Sequence, residues 1–122
     1  MTRLTETNSA LFWSSMSPSE GQMDLVQKRI RDLQLLRHPE GGWYRETYRA
    51  AETVGKDGAK RAASTAIYFL LAAHEVSTLH RIDADEMWHH YEGGVLRIHI
   101  LDKSGYRFLR LGPLGEEGVA PQ

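Results

Sequence analysis

The 122-residue sequence contains no cysteine. That excludes a disulfide framework, a thiolate metal site and a cysteine nucleophile. Net charge is nearly absent as well: fifteen basic and sixteen acidic side chains leave −1. No field favours nucleic acid or an anionic membrane surface, and neither is an expected partner. Long hydrophobic runs are missing too. The longest, Ala66 to Ala73, falls well short of the ~20 residues of a membrane-spanning helix and suits a buried strand. Leu11-Phe12-Trp13 is too short for a signal-peptide core, and no basic segment or small-residue cleavage pattern surrounds it. The expectation is a cytoplasmic protein of one domain, because a chain of this length builds one modest core.

What the chain does have is concentrated between Ser77 and Gly94. This stretch holds His80, His89 and His90 with Asp83, Asp85, Glu86 and Glu92, and ends in a glycine pair. Its apolar residues, Leu79, Ile82, Met87, Trp88 and Tyr91, fit neither a helical stripe nor one unbroken strand. The pattern predicts two short strands, about Thr78 to Ile82 and about Glu86 to Tyr91, joined at Asp83-Ala84-Asp85. Alternation would put Glu86, Trp88 and His90 on one face of the second strand. Paired across the turn, His80, Glu86 and His90 would converge on one pocket.

The residues before Ser17 carry no period and predict a flexible N-terminal extension over 1–17, followed by the folded domain from 18 to 122. Ser17-Pro18-Ser19-Glu20 offers a helix start with a capping box, Ser19 with Gln22 being a second choice of cap. Val26, Ile30 and Leu33, widened by Leu25 and Leu36, make the apolar stripe of one amphipathic helix. His38-Pro39-Glu40-Gly41-Gly42 ends it. Trp43 to Arg49 alternates as a strand, with Tyr44, Glu46 and Tyr48 on one face and Arg45 and Arg49 on the other. That pair of arginines suits carboxylate recognition, or more plainly a solvated edge. Ala50 to Lys60 reads as a mobile polar loop. Ala63 to Leu71, apolar on both faces, reads as a central buried strand in which Tyr68 is either a pocket hydroxyl or an ordinary core tyrosine. After Gly94, Leu96, Ile98 and Ile100 alternate with Arg97 and His99, Asp102 to Gly105 turns, and Tyr106 to Leu111 returns as a hairpin partner, with Arg107 and Arg110 outward.

Some of these residues resemble a known family. Glu86 followed seven residues later by Gly93, with His80 upstream, has the spacing of the first motif of the cupin superfamily, although Ile82 stands where that motif has its second histidine. The blocks HPEGGWYRETYR from His38, STAIYFLL from Ser64 and HRIDADEMWHHYEGG from His80 are similar to a group of small cupins with an epimerase-like jelly roll. The resemblance implies a mainly β, antiparallel jelly roll with one N-terminal helix. It also implies that the chain stops near the start of the strands of a second motif. The barrel would then be truncated, or completed by a partner chain in a homodimer.

Three functions fit that expectation. The first is a metal-independent, epimerase- or isomerase-like site for a sugar or related polar metabolite, with no cofactor. In it His80, held by Glu86 or Asp83, is general base, Tyr68 is the acid, and Trp88, His90 and Tyr44 bind the ligand. The second is a divalent transition-metal site of His80, Glu86 and His90. The third is a binding or interaction module without activity.

Overall fold

The computed structural model describes residues 2–7, 20–56, 59–82 and 84–122. It is mainly β with one helix. The helix, α1 (Glu20–Asp32), follows the predicted stripe: Val26 and Ile30 are half-buried, and just beyond the helix so is Leu33, while Leu35 is buried. The expected caps at Ser17 and Ser19 lie outside the described residues. Leu25 and Leu36 do not widen the buried stripe; both are exposed, and Leu36 belongs to β2 (Leu36–Arg37).

Among the described residues nine strands form three antiparallel sheets. The largest has the order β7-β1-β8-β9, from β1 (Thr2–Thr7), β7 (Val76–Arg81), β8 (Leu96–Asp102) and β9 (Gly105–Leu111). The β8–β9 hairpin turns where the sequence placed it. Asp102 accepts hydrogen bonds from the backbone N–H and hydroxyl of Ser104 and from Arg107. Arg107 and Arg110 are an odd number of residues apart and so lie on opposite faces rather than both outward. Arg110 turns to the carbonyl of Glu117 and the carboxylate of Glu116.

The N-terminal segment is corrected for residues 2–7. They form β1, paired on both sides, with β7 and with β8. A strand between two neighbours needs little hydrophobic period of its own, because its backbone groups are satisfied from both edges.

The core lies on one face of this sheet, where Ile98, Ile100 and Leu111 are buried and Trp88 and Leu96 pack against them. Register decides which β7 residues share that face. Thr5 pairs with both Ile98 and Ser77, and Arg3 with both Ile100 and His80. Cross-strand partners share a face, so Ser77 and His80 align with the core isoleucines. They are three residues apart. A bulge in β7, seen as the register shift between Arg3 and Thr5, is what lets both point inward.

The second sheet has the order β2-β3-β6, with β3 (Trp43–Arg49) and β6 (Thr65–Leu70). Here β6 is an edge strand, not a central one, and Ile67 is 46% exposed. A bulge between Glu46 and Tyr48 also re-sorts β3. Glu46 pairs with Ile67 and Tyr48 with the next residue, Ala66, so Thr47 is the extra residue. Arg49 thereby joins the Tyr44 face and pairs with Glu46, while Arg45 stays opposite and sits over Tyr68. The expected two-arginine face does not form. The expected loop from Ala50 to Lys60 contains instead a small hairpin of β4 (Thr53–Lys56) and β5 (Ala59–Ala62); Asp57 and Gly58 lie outside the described residues.

Candidate functional site

The turn His38-Pro39-Glu40-Gly41-Gly42 closes on itself through His38 N–H to the Gly42 carbonyl (3.0 Å) and Gly41 N–H to the His38 carbonyl (3.1 Å). Gly41 has φ +109°, and a β-carbon there would lie 2.1 Å from the Val76 carbonyl oxygen. Only glycine allows that approach. It brings the Glu40 carbonyl to the outer edge of β7, where it accepts from the backbone N–H (2.7 Å) and the hydroxyl (3.1 Å) of Thr78.

This docking places two histidines on one carboxylate. Glu40 Oε2 lies 3.2 Å from Nδ1 of His80 and 3.9 Å from Nδ1 of His38. The tautomers follow from the remaining partners. His80 Nδ1 is 2.7 Å from the Thr78 carbonyl, which can only accept, so neutral His80 carries its proton on Nδ1. Nε2 of His80 is then a free lone pair. In His38 the roles reverse, because Nδ1 accepts from the Glu40 backbone N–H at 3.2 Å. Aromatic edges frame the site: His38 meets Tyr44 at 4.8 Å and Phe69 at 5.5 Å between ring centres, and Phe69 meets Trp88 at 5.7 Å.

Beyond Phe69 opens a cleft of about 1020 Å³, walled by β6, the end of α1 and the segment 84–94. Tyr68, Glu86, Trp88 and His90 all line it. The segment from Glu86 to Tyr91 is not a strand. One edge of β7 is taken by β1 and the other by the Glu40 turn, so no hairpin partner fits beside it. The segment is held by other contacts: Trp88 in the core, Trp88 Nε1–H on Glu86 (3.1 Å), His90 N–H on the Pro121 carbonyl (2.9 Å), and a two-pronged Arg29–Glu92 ion pair. That pair holds the Glu92 carboxyl below its ordinary range and the Arg29 guanidinium above its own, mainly through the hydrogen bond between them.

The site expected from sequence is therefore divided. Glu86, Tyr68, Trp88 and His90 share the cleft, while His80 stands with Glu40 and His38, and Tyr44 packs on His38. Glu86 is not the carboxylate beside His80, and Asp83 lies outside the described residues. A metal held by His80, Glu86 and His90 does not fit this arrangement: Glu86 engages Trp88, His90 Nε2 is 3.3 Å from the Gly93 carbonyl, and His80 is turned to Glu40. Among the described residues no three His, Asp or Glu side chains are grouped to hold a metal ion. Sequence reading missed Glu40 and His38. Their signal was the acid set between His38-Pro39 and a glycine pair, a turn built for close approach.

Among the described residues no helix is long and apolar enough to cross a membrane. No curated protein matches the sequence. Among solved structures, a hypothetical protein from Leishmania major is 36% identical with a TM-score of 0.70, over 78% of this chain. The chain spans 61% of the length of that protein. A family model described as Cupin superfamily (DUF985) matches residues 27–122. The antiparallel sheets, the single helix and these matches agree on a jelly-roll fold, and the chain belongs to the cupin superfamily, in its DUF985 family.

Proposed function

We propose that this cupin binds a sugar or related polar metabolite in the cytoplasm, as a homodimer, and moves a proton on it without a metal, in the manner of an epimerase or isomerase. His80 is the general base. The observation that carries the reading is the pairing of His80 Nδ1 with the Thr78 carbonyl and the Glu40 carboxylate, which leaves Nε2 as the acceptor. A carboxylate behind an imidazole fixes its tautomer and stabilises the imidazolium formed when it takes a proton. Phe69, whose ring meets that of His38, lines a cleft of small-molecule size. Tyr44, in contact with His38, takes the place of the acid in preference to Tyr68, whose ring neighbours are Tyr91 and Arg45.

The test is a ligand-observed NMR screen of sugars, sugar acids and sugar nucleotides. Bound compounds are then incubated in D2O with EDTA, and exchange at carbon is followed by mass spectrometry. Exchange catalysed by the wild type, lost in His80→Ala and reduced in Glu40→Gln, is the expected result. Activity that disappears with EDTA would point to a metal enzyme, and binding indifferent to His80 to a module without catalysis.

A further inference from the structure

We propose that the cleft between β6 and residues 84–94 is a slot for one extended peptide strand, which pairs its main chain with both walls. The inference goes beyond the reading of His80 as base and does not depend on it, since neither His80 nor Glu40 lines the cleft. Every residue from 61 to 71 lines one wall, and every residue from 84 to 94 lines the other. Successive side chains of an extended chain point to opposite faces, so an unbroken run marks a wall met edge-on, backbone foremost. Those backbones have hydrogen bonds to give. Among the described residues β6 pairs with β3 alone, and the backbone from Met87 to Tyr91 makes one hydrogen bond, from the His90 N–H to the Pro121 carbonyl. Neighbouring edges are guarded: the Glu40 carbonyl covers β7, Ala120 bridges to β9, and β5 carries Lys60 and Arg61. The β6 sequence TAIYFL has neither charge nor proline. Such an edge accepts another strand.

Rings on both faces set what fits. Tyr68 meets Tyr91 at 6.1 Å and Phe69 meets Trp88 at 5.7 Å between ring centres, one pair on each face of β6. Trp88 and Tyr91 are an odd number of residues apart, as the two faces of an extended chain require, so this segment stands in strand order and lacks only a neighbour. Between the ring pairs the guest must carry small side chains. Charge decides its ends. Arg29 and Glu92 engage one another and Arg49 engages Glu46, whereas Asp85 is a cleft carboxylate with no ion pair or hydrogen bond among the described residues. The guest is therefore a run of small uncharged residues with a basic residue beside Asp85. No described strand of a second copy suits the slot, because each already has an edge paired.

The probe is the peptide acetyl-Lys-Val-Ala-Gly-Ala-Val-Lys-amide, about 23 Å long when extended, with a lysine at each end so that either direction brings one to Asp85. Amide hydrogen exchange is read on the 15N-labelled full chain. Without peptide, the amides of residues 87–91 other than His90 should exchange almost as fast as in an unfolded chain; if they are already protected, the chain fills the slot itself and the proposal falls. With peptide at millimolar concentration, these amides and the β6 amides that β3 leaves unbonded should slow by about tenfold or more, along one saturation curve. Protection of one wall alone, or of neither, overturns the proposal. A peptide N-methylated at alternate residues keeps the apolar surface and loses donors. It should not bind, and equal binding would mean an apolar groove instead of a strand slot. Asp85→Asn, at an exposed side chain, should weaken binding about threefold; unchanged affinity overturns the basic end of the guest. Protection that rises with protein concentration in the absence of peptide would assign the slot to a second copy and overturn the separate strand.

Discussion

Replacing Gly41 by alanine should both destabilise the protein and dismantle its site. The backbone at Gly41 has φ +109°, a region alanine occupies only under strain of about 1–3 kcal/mol. The added β-carbon would also sit 2.1 Å from the Val76 carbonyl oxygen, a backbone atom that cannot swing aside. The turn must then lift from β7 and forfeit both hydrogen bonds from Thr78 to the Glu40 carbonyl, about 1 kcal/mol each. The total is about 3–5 kcal/mol, a large part of the 5–15 kcal/mol expected of a domain. Gly93→Ala is the control, since Gly93 has φ +96° with nothing within 4 Å of an added β-carbon. It should show strain alone, about 2 kcal/mol less than Gly41→Ala. Urea unfolding at constant m-value measures both, and 15N spectra of His80 report whether the proton stays on Nδ1. If the two variants agree within about 0.5 kcal/mol, or if His80 is unchanged in Gly41→Ala, the turn is not wedged against β7 and does not hold the histidine pair.

Other consequences are separable. Hydrogen bonds from Ser104 and Arg107 hold the Asp102 carboxyl far below its ordinary value of 3.8, so its stabilisation is complete above that value and declines as the pH falls toward its folded pKa; urea midpoints of Asp102→Asn and wild type should differ at pH 7 and converge in acid, and a constant gap would refute the linkage. Trp88 is half-buried against Ile98, Ile100, Leu111 and Phe69, so Trp88→Ala should lower stability by about 2–3 kcal/mol. Met87→Ala, at a side chain 79% exposed, should change it by less than about 0.5 kcal/mol, and equal losses would refute the packing of the segment. Breaking the Arg29–Glu92 pair from either side should speed hydrogen exchange in residues 86–94 to the same degree, with no further gain in the double variant. Unequal or additive effects would mean the segment is held elsewhere.

Where local rules sufficed, the sequence was readable. The β8–β9 hairpin is written in the alternation of Leu96, Ile98 and Ile100 and in the Asp102 turn, whose contacts span only a few residues. The helix follows from Val26, Ile30 and Leu33.

The errors share one cause, competition for partners between distant segments. A strand at Glu86 to Tyr91 satisfies alternation, but β7 has both edges taken, and edge occupancy is invisible to a local pattern. Residues 2–7 lack a period and are a strand nonetheless, because β7 and β8 supply their hydrogen bonds. Bulges at Thr47 and within β7 reassign every later side chain to the other face, moving Arg49 beside Glu46 and turning His80 toward the core. The sequence by itself determined the family and the mainly β architecture, and it pointed to His80 as a candidate. Only the tertiary structure decided that the carboxylate beside it is Glu40, forty residues upstream, rather than the nearby Glu86: a backbone turn fits against a strand edge whatever the distance along the chain, and the side chains it carries are delivered with it.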